Sequence, residues 1–216
     1  FGCDVDYSLG NNFADFASQF SKDSRYRTEL YKLRRKFMSH ADGLIHADLH
    51  TSNIMASRDK MKVIDMEFAF MGPFGYDLGY LVGNLISQYC AACFKRFPSE
   101  QNRKQFKAYL LATIKSLIET YMKTFTLCWE RSVKERYRGQ QGLLQSILQE
   151  VMVDMPGYAS MVNWFRSVSE IPYPDFDVIE NKDAKRNATV LSLMIDWGIM
   201  FGRYKYQSAD DLIETI

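Results

Sequence analysis

The chain has 216 residues, and its 27 Lys and Arg against 26 Asp and Glu leave a net charge of +1. That balance argues against a general nucleic-acid binder, which needs a strong positive footprint to displace counterions. No apolar run approaches the ~18 residues of a membrane span, which excludes an integral membrane protein. With 47% apolar and 25% charged residues, the composition is that of a globular domain with one sizeable core.

No secretory leader is visible at the start. Cys3, Cys90, Cys93 and Cys128 are few and scattered, which fits reduced thiols in a cytoplasmic protein better than a disulfide framework. Residues 1–26 are rich in Gly, Asn, Ser and Asp without a clean period. They read as a connecting segment with one short helix. From about Arg27, Leu30, Leu33, Phe37 and Met38 recur at helical spacing, and the basic residues between them form a solvated face.

A punctuated stretch follows. Residues 43–49 read as a short strand entering a turn. Residues 53–57 form another strand, and the polar turn 57–60 joins it to residues 61–65 as a hairpin. The Gly72–Asp77 cluster stops any strand. The rest is mainly helical. Asp77 to Phe97 carries an apolar side, and Ser99 is an N-cap for a helix whose stripe runs from Phe106 through Tyr121, Phe125 and Cys128. A helix from Gln141 toward Ser169 is expected to break or kink at Pro156-Gly157. Residues 171–176 should be extended, because a residue before proline avoids the helical region. Lys182 to Tyr206 is helical again, and Ser208 with Asp211 makes a capping box. The expected class is α+β, mainly α.

Polar residues of unusual type concentrate at His46-Ala47-Asp48-Leu49-His50-Thr51-Ser52-Asn53, at Asp65-Met66-Glu67 and at Gly72 to Asp77. A carboxylate followed five residues later by an amide, on a loop leaving a strand, suits phosphoryl transfer. Asp48 can accept a hydroxyl proton while the oxygen of Asn53 coordinates magnesium. Asp65 and Glu67 close the next strand and add hard oxygen ligands. The hairpin should bring all four toward one end. A rival reading takes His46, Asp48 and His50 as zinc ligands in an alternating pattern on one strand face. Cys90 and Cys93 have the spacing of a redox or metal pair, but they fall within an apolar helical stripe and read as buried thiols. The aromatics Tyr121, Phe125 and Trp129 read as core.

Residues 44–55 followed by 63–79 resemble the 5-methylthioribose kinases, within the kinase-like superfamily that includes aminoglycoside and choline kinases. The run from Glu67 to Gly79 is the more specific of the two motifs, and the resemblance covers roughly residues 27–216. It implies the C-terminal lobe of a protein-kinase-like fold, in which a small β-hairpin carries the catalytic loop beside a helical body. It also implies transfer of the ATP γ-phosphate to the 1-hydroxyl of 5-methylthioribose in methionine salvage. Asp48 would be the catalytic base, and Asp48, Leu49, His50, Thr51 and Arg166 would contact the sugar. Asp65 and Glu67 would serve the nucleotide phosphates, with Asn53, Asp65 and Glu67 as Mg2+ ligands. The partners would be a small molecule and a second copy of the chain, with no nucleic acid and no membrane.

Three positions depart from the family pattern. Ala47 stands where glycine is usual, Asn53 where serine is common, and Phe165-Arg166 where two arginines are usual. Residues 1–26 hold no glycine-rich phosphate loop. With Phe1 in place of an initiator methionine, this makes the chain a fragment lacking its N-terminal ATP-binding lobe. Other readings are a kinase of a different sugar or amino-alcohol, which Phe165 favours, and a non-catalytic kinase-like module.

Overall fold

The computed structural model describes residues 17–20, 22–169 and 173–216. The order is α1 (Ser24–Ser39), β1 (Gly43–Ile45), a 3-10 turn (Thr51–Asn53), β2 (Ile54–Ala56), β3 (Met61–Val63) and β4 (Phe70–Gly72). Then come α2 (Gly75–Phe94), α3 (Glu100–Ser132), a second 3-10 turn (Glu135–Tyr137), α4 (Gln141–Val168), α5 (Pro174–Asp177), α6 (Lys182–Gly202) and α7 (Ala209–Thr215). The mainly helical α+β class is as expected. Most helices start on the caps their sequences carry. Asp23 accepts the N–H of Arg25 at 2.8 Å, Ser99 that of Asn102 at 3.1 Å and Asn181 that of Ala184 at 2.9 Å. Each of these satisfies a donor that a helix start otherwise leaves orphaned. The Ser208–Asp211 capping box is present. Residues 17–20 are helical, with Ala17 and Phe20 packed against Trp164, Val168 and Leu193. The rest of the segment up to residue 16 lies outside the described residues.

The core forms around α2. Leu78, Val82 and Ile86 meet Leu110, Ile114 and Ile118 of α3, Met155 of α4, Ile199 of α6 and Leu212 of α7. The tightest approach is between α2 and α4, and two glycines one turn apart permit it. A Cβ on Gly79 would stand 2.6 Å from the Met155 carbonyl oxygen, and one on Gly83 2.5 Å from that of Ala159. A second cluster, Tyr26, Leu33, Ile45, Tyr76, Tyr158 and Met200, anchors β1 to α1 and to the start of α2. Cys90 is fully buried and Cys93 half-buried on α2, both free thiols. No helix among the described residues is long and apolar enough to cross a membrane.

The four short strands form two ribbons. β2 and β3 pair antiparallel with Ile54 opposite Val63 and Ala56 opposite Met61, which is the expected hairpin. β1 pairs with β4 instead, Gly43 opposite Gly72 and Ile45 opposite Phe70, and no strand was expected at 70–72. Other differences have local causes. Pro174 opens the helical turn α5, so residues 174–176 are helical rather than extended, because its fixed φ suits a first helical position; Tyr173 is extended as expected, and residues 171 and 172 lie outside the described residues. α4 continues through Pro156, so no break occurs there. α6 stops at Gly202, short of Tyr206. The α3 stripe is buried only at Leu110, Ile114 and Ile118. Beyond them Phe125 and Trp129 are half-buried and Cys128 is exposed, so this end is not core.

Candidate active site

The loop after β1 is held open by one carboxylate. Asp77, in the first turn of α2, accepts the His46 N–H at 2.6 Å and the Ala47 N–H at 2.9 Å. Such charge-assisted bonds are stronger than neutral ones. Burial nevertheless pushes the Asp77 carboxyl up, with the two N–H groups pulling against it. Between these donors and Asp48 the backbone turns left-handed, with Ala47 at φ +68°. An L-residue there costs about 1–2 kcal/mol, and glycine none of the Cβ strain. The difference between Ala47 and the usual glycine is therefore one of backbone strain.

His46 is a structural tie. It is 5% exposed; its Nδ1 receives the Asp48 N–H at 3.3 Å, and its Nε2 faces the Ile64 carbonyl at 2.8 Å. This network assigns a neutral ring protonated on Nε2. With both nitrogens engaged, His46 has no lone pair for a metal, so the zinc reading of His46, Asp48 and His50 fails. Among the described residues no group of three His, Cys, Asp or Glu could hold a metal ion.

The same tie sets Asp65. The Ile64 N–H donates to the Asn53 carbonyl at 3.0 Å, so both backbone groups of Ile64 are fixed just before the chain turns at Asp65, φ +66°. Two left-handed, non-glycine residues, one beside Asp48 and one at Asp65, mark backbone strain of the kind that collects at working sites. Asn53 is buried, and its Nδ2 donates to the Asp48 carbonyl at 3.0 Å. Its oxygen is therefore the amide atom left for a ligand. Asp65 and Glu67 are exposed, and no bond within the described residues engages either carboxylate. An amide oxygen and free carboxylates fit Mg2+, which takes one or two carboxylates and completes its shell with water and phosphate oxygens. Hydrogen bonds tie Asn53 to the Asp48 carbonyl and to Ile64, the residue before Asp65. Glu67 lies in the following turn, with no side-chain bond to the other three.

Residues 12–117 match the phosphotransferase enzyme family. Over 205 residues the chain is 32% identical to a methylthioribose kinase of Geobacillus thermodenitrificans (strain NG80-2), covering 93% of this chain and 49% of that protein. It is 30% identical over 209 residues to methylthioribose kinase 2 of Oryza sativa subsp. japonica, with 91% and 48% covered. The family match spans 106 of the 216 residues, just under half of the chain. The chain spans about half the length of the curated relatives it matches.

The other face of the loop meets α2. The Thr51 N–H and hydroxyl both donate to Asn84 Oδ1, at 3.0 and 2.8 Å. His50 Nε2 stands 3.4 Å from Asp48 Oδ2, and Leu49 is half-buried. Tyr80 lies beside Asp48 and 6.5 Å, ring to ring, from His50. Burial, and then the Asp48 carboxylate, push its phenol up. Arg166 is drawn onto Asp175, with its Nε 2.6 Å from Oδ2, and lies over the Tyr173 ring at 4.5 Å. Phe165 meets the same ring edge-on at 5.8 Å. Asp77, Tyr80, Asn84 and Asp175 were not among the expected site residues. Tyr76, Tyr80 and Asn84 recur every fourth residue, so they lie on one stripe of α2 facing the loop. A polar break in an otherwise apolar helix was the available signal.

Proposed function

We propose that this chain carries the acceptor half of an ATP-dependent small-molecule kinase that phosphorylates the 1-hydroxyl of 5-methylthioribose in methionine salvage. The observation that supports it most is the pairing of Asp48 and Asp65 across His46 and Asn53. The Asp48 carboxylate, beside His50 and Tyr80, would take a proton, and the exposed Asp65 carboxylate would meet a metal, on two strained turns locked together. In this reading Asp48 accepts the proton of the attacking hydroxyl. Asn53 and Asp65, with Glu67 next to them, would hold Mg2+, whose charge neutralises the ATP phosphates. Leu49, His50, Thr51 and Arg166 orient the sugar, and orientation and charge neutralisation supply most of the rate. Leu44, Met55, Met61 and Phe68, exposed on and beside the ribbons, offer a surface on which an ATP-binding lobe would close. A cytosolic homodimer belongs to the same reading.

The test is phosphoryl transfer from labelled ATP to 5-methylthioribose by the whole protein, with Asp48→Asn beside it. Loss of a general base should lower turnover by about 10²- to 10⁴-fold. Equal turnover in the two proteins would remove Asp48 from the chemistry. One observation favours a second acceptor: Phe165 packs on Tyr173 where an arginine is usual, so the site lacks one cation. A panel of sugars and amino-alcohols in the same assay discriminates, and a better acceptor than 5-methylthioribose would replace it.

A further inference from the structure

Asp175 is 2% exposed and joins three side chains from two helices. Its Oδ2 takes Arg166 Nε at 2.6 Å and Nη2 at 2.5 Å. Its Oδ1 takes the side-chain amides of Asn84, at 3.4 Å, and of Gln88. Asn84 turns its own oxygen to the N–H and hydroxyl of Thr51. A continuous polar path therefore runs from Arg166 on α4, through Asp175 at α5 and Asn84 on α2, to the loop that bears Asp48. Asp175 sits in the first turn of α5, which Pro174 makes rigid.

We propose that Asp175 is a positioning residue for the acceptor substrate. It fixes the direction of the Arg166 guanidinium and ties it, through Asn84, to Thr51. This rests on the reading above, in which Arg166 and Thr51 face the acceptor. A buried ion pair of this kind adds little net stability, because desolvation offsets the attraction; its geometry is what it contributes. Asp175 holds the Nε–Nη2 edge of the guanidinium and Tyr173 covers a face, so the Nη1 edge is turned away from Asp175. With only one arginine in this segment, the orientation of that edge has no second cation to compensate for an error. Misplacing a binding group by about 1 Å can cost on the order of a hundredfold.

Titration calorimetry of the whole protein, with 5-methylthioribose and separately with MgATP, tests this. Asp175→Asn keeps the shape and removes the charge that aligns Arg166. It should raise the sugar Kd at least tenfold and leave the MgATP Kd within twofold. Arg166→Lys should do the same, and the double variant should bind no more weakly than the weaker single, since Asp175 acts through Arg166. Asn84→Ser, which cuts the link to Thr51 and the amide bond to Asp175 Oδ1 but leaves Arg166 on Oδ2, should raise the sugar Kd about threefold or more. It decides the matter if Asp175→Asn does not fold. Unchanged sugar binding in Asp175→Asn, or equal weakening of both ligands with a fall in melting temperature, would overturn the proposal and leave Asp175 a packing residue. If the unsubstituted protein binds MgATP but not the sugar, the acceptor reading itself fails and this inference fails with it.

Discussion

Asp196 is fully buried on α6, and its environment makes a pH-dependent prediction. Its Oδ1 accepts from Asn163 Nδ2 at 2.8 Å, while Oδ2 has no hydrogen-bond partner. Asn163 in turn accepts from the Ser87 hydroxyl, and the Asp196 carbonyl takes the Ser160 hydroxyl, which lies 3.1 Å from that of Tyr26. The titratable groups that sense Asp196 are Tyr26 and Cys90, and both are pushed up by burial. Burial therefore raises the Asp196 carboxyl well above the usual carboxylate range, opposed only by the Asn163 bond. The folded protein keeps a proton that the unfolded chain releases above about pH 4. Because the native state then binds more protons, stability falls as pH rises, by about 1.4 kcal/mol per pH unit while the native carboxyl stays protonated. Asp196→Asn keeps the shape and the acceptor for Asn163 but has no proton to lose. Urea unfolding followed by far-UV circular dichroism at half-unit steps should show the variant close to the unsubstituted protein at pH 5. It should become progressively more stable above that. A stability difference that stays flat from pH 5 to 7.5 would refute the buried neutral acid.

Three further predictions concern the frame of the site. Ala47→Gly relieves about 1–2 kcal/mol of left-handed strain against about 0.5–1 kcal/mol of added chain entropy. It should therefore raise the urea midpoint slightly, whereas Ala47→Val should lower it; the reverse order would place the strain elsewhere. Gly83→Ala puts a methyl carbon 2.5 Å from the Ala159 carbonyl oxygen. Forcing α2 from α4 should cost about 1–3 kcal/mol in thermal unfolding, and it should also weaken sugar binding because Asn84 moves with the helix. Glu29 is held down to about 2: burial opposes this, but bonds from Lys32, Tyr204 and Arg203 outweigh it. Its contribution is present above about pH 4.5 and lost as pH falls toward 2, so Glu29→Gln should flatten the acid limb of a stability–pH curve measured at constant ionic strength.

The candidate site residues stood out because their types and spacing are local facts. An aspartate five residues before an asparagine, on a loop leaving a strand, already limits what the pair can do. The β2–β3 hairpin was equally plain, since a polar four-residue turn between two apolar runs specifies its own register. The caps at Ser99 and Ser208 needed only the residue and its neighbour three positions on. Helix ends were less legible: nothing local distinguishes Gly202 from Tyr206 as a stopping point for α6 until Arg203 is drawn back toward Glu29 and the Val153 carbonyl.

The sequence alone determined the fold class and the order of its motifs, and it offered Asp48, Asn53 and Asp65 as candidates, because propensity, spacing and side-chain chemistry act over a few residues. Only the tertiary structure decided how those residues are held. β1 pairs with β4 across 24 intervening residues, Asp77 reaches back 30 and 31 residues to the N–H groups of Ala47 and His46, and Asp175 reaches back 91 to Asn84. Three-residue strands are too short to show a period, and a lone aspartate on a helix looks the same whether it is solvated or buried against a distant amide. Those distinctions depend on which surfaces exclude water together, and that is settled when α2 closes on α4 and the loop is caught between them.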